Sequence, residues 1–262
     1  MTSLHLPPFP ITTRPVVSAF PRSTTRARMK LFCCYTPAHE ILLKDYFLPT
    51  VPQEFKVVAT KIDLQGPGDF LSTEFLRCIS EKMRLVVQSL EDHRGEVIVW
   101  SDIDIQFFDL QSARLVKELG DHDIAFQREG QRVTDINAGF VVCRANEKVC
   151  AFFEEVKRRL LQRPEVNEQF VMNELLRKNP QILSWTYLPW PYYARTHGWP
   201  PPQNLALYHA NATPGKGGVD QKIRQFREVA FLRKYGWLAT FVTCIKYIPK
   251  RLRRILEERR KP

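Results

Sequence analysis

No run of apolar residues in this chain approaches the roughly 20 that a membrane-crossing helix needs. The longest candidate, Trp237 to Ile248, is too short and contains Lys246. The six cysteines (Cys33, Cys34, Cys78, Cys143, Cys150 and Cys244) form no CxxC pair. They read as small buried hydrophobes in a reducing compartment, not as a disulfide framework or a zinc site. Internal repeats are absent, and no linker divides the body. The first 39 residues contain no acid and no apolar stretch of the kind a secretory signal carries.

What is present is enough for a core: 262 residues, 44% hydrophobic and 26% charged, exclude a wholly disordered chain. The net charge of +11 is unevenly placed. Residues 1–39 carry +5, residues 222–262 carry 13 basic and 3 acidic side chains, and residues 40–221 carry 21 basic against 25 acidic. A mildly acidic body is a poor polyanion surface, so nucleic acid is not the expected partner. The tail alternates apolar residues (Trp237, Leu238, Phe241, Val242, Ile245, Tyr247, Ile248) with a later run of Lys and Arg from Lys250 onward. Two readings stand side by side: a segment lying on an anionic membrane surface, or a terminal helix packed on the body by its apolar face. Residues 1–28, rich in Pro, Ser, Thr and Arg, read as a disordered basic segment, either an organelle-targeting peptide or the product of a start assigned upstream of Met29.

From Lys30 the chain alternates strand-like and helix-like stretches, the pattern of an α/β domain expected to span 29–235, with a basic amphipathic tail over 236–262. Leu31 to Tyr35, Phe55 to Thr60, Glu96 to Trp100, Ala138 to Cys143 and Leu205 to Tyr208 read as strands. The stripes Phe75, Ile79, Met83, Val86, Leu90 and Val149, Phe152, Phe153, Val156, Leu160 read as helices, the second capped by Asn146. A further helix is expected from about Asn167 to Lys178.

The chemical signal is Val97-Ile98-Val99-Trp100-Ser101-Asp102-Ile103-Asp104. Two carboxylates at alternate positions after a buried strand share a face of an extended chain. They repel each other unless a cation lies between them. A hard divalent ion, Mn²⁺ or Mg²⁺, is the fitting partner, with substrate phosphates completing its shell.

These residues resemble the DxD strand end of the nucleotide-diphospho-sugar transferases, glycosyltransferases of the GT-A fold. Three further segments follow in order: Asn137-Ala138-Gly139-Phe140, Glu168-Gln169 through Asn173, and Tyr208-His209-Ala210-Asn211-Ala212-Thr213-Pro214-Gly215. The resemblance implies a central mixed, mostly parallel sheet flanked by helices. It implies metal ligation by Asp102, Asp104 and His209, and a donor site drawn from Thr36, Pro37, Lys82, Ser101, Asn137, Gly139, Asn211, Gly215, Lys216 and Lys222. Asp102, Glu168 and Gln169 would stand at the reacting carbon. The implied reaction moves a sugar from a nucleotide-diphosphate donor, UDP-linked by expectation, to a hydroxyl of a glycan, lipid or protein acceptor. The late His segment resembles that of retaining members. The chain departs from the pattern in the extra residues between Gly215 and Lys222, which leaves the phosphate lysine open between Lys216 and Lys222.

Residue by residue, plainer roles remain: Lys82 as a solvated helix lysine, Glu168 as a helix-dipole acid, His209 as a structural histidine, Gly139 as a packing glycine. The aromatic loop with Trp185, Tyr187, Trp190, Tyr192, Tyr193 and Trp199 would either stack on an acceptor sugar or cover the sheet edge. Two rival functions are an aspartyl phosphatase, disfavoured by Gln106 and the motif's late position, and a noncatalytic membrane- or polyanion-binding module. The enzyme is expected in the cytoplasm or peripherally on the inner face of a membrane.

Overall fold

The computed structural model describes residues 28–66, 69, 72–130, 134–198, 200–211, 213 and 215–259, with backbone alone at 237, 239, 243, 244 and 246–259. The expectations for residues 1–27, Trp199, Ala212 and Pro214, and for the side chains of Trp237, Cys244, Tyr247, Ile248 and the basic residues beyond, lie outside the described part.

The first strand, β1 (Met29–Tyr35), leads into an irregular helical segment around α1 (Glu40–Leu42) and then to β2 (Phe55–Lys61). There follow α2 (Thr73–Asp92), β3 (Val97–Ser101), β4 (Ile105–Phe107), α3 (Ser112–Leu119), β5 (Ile124–Arg128) and β6 (Ile136–Arg144). The second half adds α4 (Glu147–Gln162), α5 (Glu168–Lys178), β7 (Trp185–Tyr187), β8 (Tyr192–Ala194), β9 (Leu207–His209) and α6 (Gly218–Arg259). Six strands form one sheet in the order β2-β1-β3-β6-β5-β7, and three form a second in the order β4-β9-β8. In the large sheet β1 runs parallel to β2 and β3, β7 runs parallel to β5, and β6 runs antiparallel to β3 and β5.

Each face of the large sheet carries its own core. The stripe of α2 (Ile79, Met83, Val86, Leu90) and that of α4 (Val149, Phe152, Phe153, Val156, Leu160) bury against Phe32, Ile98, Trp100 and Val141. On the other face Leu42, Phe47, Phe107, Leu115, Phe140 and Phe226 join Leu31 and Val99. Strands buried on both faces need apolar residues at successive positions, which is why Val97 to Trp100 shows no alternation. The buried indole of Trp100 is paired: its Nε1–H donates to Ser89 Oγ at 2.8 Å.

Three helices begin at side-chain caps, of which Asn146 was expected as a cap and Asn167 as a helix start. Ser72, Asn146 and Asn167 accept from the backbone N–H groups of Phe75, Val149 and Phe170. The elements not anticipated, β4, β5, β8 and α3, are short. Their residues follow no long period.

The aromatic loop divides. Tyr192 and Tyr193 are fully buried in β8, whereas Trp190 stays 38% exposed with its ring edge-on to Tyr193 and His197. The covering role thus fits the two tyrosines.

Asn146 both caps α4 and donates from Nδ2 to Asp123 Oδ1 at 2.7 Å. Asn146→Ala is expected to lower unfolding free energy by about 1–2 kcal/mol in urea titration, with the native secondary structure retained.

Candidate functional site

The site forms where the two sheets meet. The large sheet's β3 ends at Ser101 and the small sheet's β4 begins at Ile105, so the intervening residues carry the chain from one to the other. The Asp102 N–H donates to the Gly139 carbonyl at 2.7 Å, and the Asp104 carbonyl accepts from the Ala210 N–H at 2.8 Å. This corrects the expectation of two acids on one extended strand. Asp102 and Asp104 lie in a bend, anchored at one end to β6 and at the other to the segment after β9. Ile103 turns into the core and the two carboxylates converge on the opposite side.

His209 arrives through strand pairing, since Ile105 of β4 lies opposite His209 of β9. Donor atoms of Asp102, Asp104 and His209 lie within 4.8 Å of one another, as a metal site requires. The imidazole is oriented from behind. Gln127 Nε2 donates to the Tyr192 carbonyl at 3.2 Å, so its Oε1 faces His209 Nδ1 at 3.0 Å. A carbonyl accepts only, and so does the amide oxygen; Nδ1 must therefore carry the proton. Nε2 lies 3.3 Å from Asp104 Oδ1, and that oxygen is buried without a hydrogen bond. A buried carboxylate oxygen with no donor is costly, and a cation shared with Nε2 would satisfy it.

Gly139 makes room for this ring. A Cβ on it would lie 2.2 Å from His209 Cε1 and 3.0 Å from Asn137 Oδ1. Close approach of a side chain to backbone, and not chain flexibility, requires glycine here. Asn137 completes the floor: its Oδ1 accepts from the Gly139 N–H at 2.9 Å and its Nδ2 donates to Glu129.

Two lysines balance the acids. Lys82 of α2, buried, reaches Asp102 Oδ1 at 2.6 Å and Glu168 Oε1 at 3.0 Å. It is therefore no solvated helix lysine. Burial works against its charge, but Asp102 and Glu168 outweigh that and raise its pKa well above the usual lysine value. Lys222 of α6 sits 2.8 Å from Asp104 Oδ2. Burial alone would raise the Asp104 pKa, but Lys222 and His209 more than offset it and hold the carboxyl well below its ordinary range. Asp104 is 9% exposed and Asp102 33%, so Asp102 presents the open side of the pair.

The remaining expected residues are distributed unevenly. Thr36 and Pro37 follow β1, whose end lies beside that of β3 through the parallel pairing of Phe32 with Trp100. Thr36 Oγ1 contacts His39 Nδ1 at 2.8 Å. Burial first, then Lys222, lowers the His39 pKa to about 4 and keeps the ring neutral. Ser101 donates to the Asp102 carbonyl. Gln169 Oε1 accepts from the Ala138 N–H at 3.2 Å while its amide also bonds Glu129, so both of its ends are engaged.

Asn211 spends its side-chain amide on Thr196, holding the 195–197 turn. Gly215 takes a φ of 74°, a left-handed conformation that favours glycine. Lys216 is exposed. Gln127, Glu129 and His39 were not anticipated. Gln127 alone left a trace, as a polar residue in the apolar run Ile124-Ala125-Phe126.

Gly139→Ala is expected to displace the His209 ring, detected as a shift of its imidazole signals in NMR. Overpacking should cost about 1–3 kcal/mol of stability.

Comparison with known proteins bears on this geometry. The search of curated proteins returned no match. Among solved structures the fold resembles a glycosyltransferase involved in glycosylation of the major capsid of PBCV-1, at 11% identity and a TM-score of 0.51, covering 76% of this chain and 99% of that one. GlyE of Streptococcus pneumoniae TIGR4 matches at 13% identity with a TM-score of 0.44, over 64% of this chain and 46% of its own. This chain thus spans about half the length of GlyE. The galactosyltransferase LgtC, solved with donor and acceptor sugar analogs, matches at 12% identity with a TM-score of 0.44, over 75% of this chain and 94% of its own. A family model described as nucleotide-diphospho-sugar transferase matches residues 45–226, a stretch that takes in every strand after β1 together with Asp102, Asp104 and His209. On that match the chain belongs to the nucleotide-diphospho-sugar transferase family.

Proposed function

We propose that the enzyme moves a sugar from a UDP-sugar to an acceptor hydroxyl with retention at the anomeric carbon, using Mn²⁺ or Mg²⁺ held by Asp102, Asp104 and His209. The observation that carries this reading is the buried Asp104 Oδ1, without a hydrogen bond and 3.3 Å from His209 Nε2, in a cluster with Asp102. Two carboxylate oxygens and an imidazole nitrogen suit a borderline-hard divalent ion that also binds phosphate. When bound, the ion supplies Lewis-acid stabilisation of the charge that builds on the departing diphosphate.

The chain's own residues do the rest. Asp102, Asp104 and Glu168 face Lys82 and Lys222, which leaves one excess negative charge in the cluster. That excess is what a divalent ion would invert, making a place for diphosphate. Lys222 lies beside Asp104 and would contact the diphosphate on the same side, with Gly215 allowing close backbone approach and Lys216 free to reach in from solvent. Thr36 and Pro37, with Ser101, would border the nucleotide at the strand ends, where open α/β sheets bind ligands. Asn137, Gly139 and Asn211 would line the donor side.

Retention rests on the likeness of the late His segment to that of retaining members. Glu168 is held by Lys82, and Gln169 is bonded at both ends. Neither is poised as a covalent nucleophile, which favours a front-face course over a double displacement. The acceptor oxygen would then attack from the face the diphosphate leaves, its proton passing to a departing phosphate oxygen, while Gln169 and Asp102 position the ring. The acceptor is a hydroxyl of a glycan, lipid or protein, and the place of action is the cytoplasm or the inner face of a membrane.

A thermal-shift series with UDP and Mn²⁺, singly and together, tests this reading. The pair is expected to raise Tm well beyond either alone, and Asp104→Asn is expected to abolish the joint shift and lower turnover by about 10³-fold or more. Equal shifts in wild type and Asp104→Asn would refute it.

A further inference from the structure

The last helix is two structures in one. Its first half buries Ile223, Phe226, Val229 and Leu232 against the body, one stripe at intervals of three. At Gly236 the backbone leaves helical geometry, with φ 58° and ψ −134°, and a second helical stretch runs on to Arg259. That stretch also has a stripe, and it lies open: Leu238, Phe241, Val242 and Ile245 are 52–61% exposed. With Phe231 and Tyr235 just before the break, α6 holds six of the twelve large apolar side chains exposed among the described residues. Chance scatter would not concentrate half of them on one helix, so the face is built to be covered.

Charge decides what covers it. Residues 222–262 carry 13 basic and 3 acidic side chains. A second copy would bring an equal positive charge against this one. The N-terminal 39 residues, with five bases and no acid, would be repelled in the same way. Among the described residues no helix is long and apolar enough to cross a bilayer. About 35 Å of helix beyond the break, apolar on one side and rich in Lys and Arg, has the form of an element that lies in the plane of a membrane surface. We propose that the stretch of α6 after Gly236 docks the enzyme on anionic lipid, with Leu238, Phe241, Val242 and Ile245 inserted among the acyl chains and the basic residues on phosphate headgroups. The Gly236 break separates this face from the stretch that packs on the body. Of the two readings of residues 236–262, the exposed stripe favours the membrane surface.

Flotation with lipid vesicles tests the proposal, and it needs no turnover, so its outcome is independent of the sugar-transfer reading. The full chain is expected to float with phosphatidylcholine vesicles containing about a quarter phosphatidylglycerol and not with pure phosphatidylcholine, and to release as salt rises from about 0.1 to 0.5 M. Phe241→Ser with Ile245→Ser is expected to weaken binding about tenfold or more, with an unchanged Tm showing that the body is intact. Lys250→Gln with Arg254→Gln should weaken it through the headgroup contacts instead. Equal binding to both vesicle types, binding to neither, or a dimer in light scattering that the Ser variant dissolves would each overturn it.

Discussion

Two carboxylates forced close together in a poorly solvated place set the terms for everything around them. Asp102 and Asp104 sit in one bend, and their mutual repulsion has to be met by positive charge from several directions. Lys82 comes from α2, Lys222 from α6, and His209 from β9. No two of these are near in sequence. The fold can be understood as the means of delivering them to one point.

Delivery depends on the small sheet. Pairing β4 with β9 brings His209 alongside the acids, and the Ala210 N–H on the Asp104 carbonyl fixes the bend's far end. The ring then needs a floor without a side chain, which Gly139 gives, and a partner that selects its tautomer, which Gln127 gives through its own bond to the Tyr192 carbonyl. Each of these acts through another group. Removing any one would leave the three ligands present in sequence yet wrongly aimed, as supporting contacts around metal ligands generally do.

The long elements were legible because their apolar residues recur: α2 and α4 by their stripes, α4 also by its cap, β1 to β3 and β6 by continuous apolar runs between turn formers. Of the candidate site, the three residues that cluster were legible as Asp-x-Asp and a late His segment, but only in company with a family resemblance. What sequence could not give was the bend, since the i and i+2 rule assumes an extended chain, and residues 102 to 104 instead pass between sheets. Glu129 and His39 were hidden because nothing local marks a surface acid or a loop histidine as a neighbour of residues far along the chain. The tail's apolar residues were readable, whereas the change at Gly236 from the packed stretch before it to the exposed one after it was not.

The central claim is that Asp102, Asp104 and the Nε2 of His209 share one divalent ion. Anomalous diffraction from crystals grown with Mn²⁺ and UDP tests it directly. The account predicts a single manganese peak about 2.0–2.3 Å from an oxygen of each aspartate and from His209 Nε2, with diphosphate oxygens on its open side. A peak bound elsewhere, or UDP seated with His209 still more than about 3 Å from any metal, would contradict it.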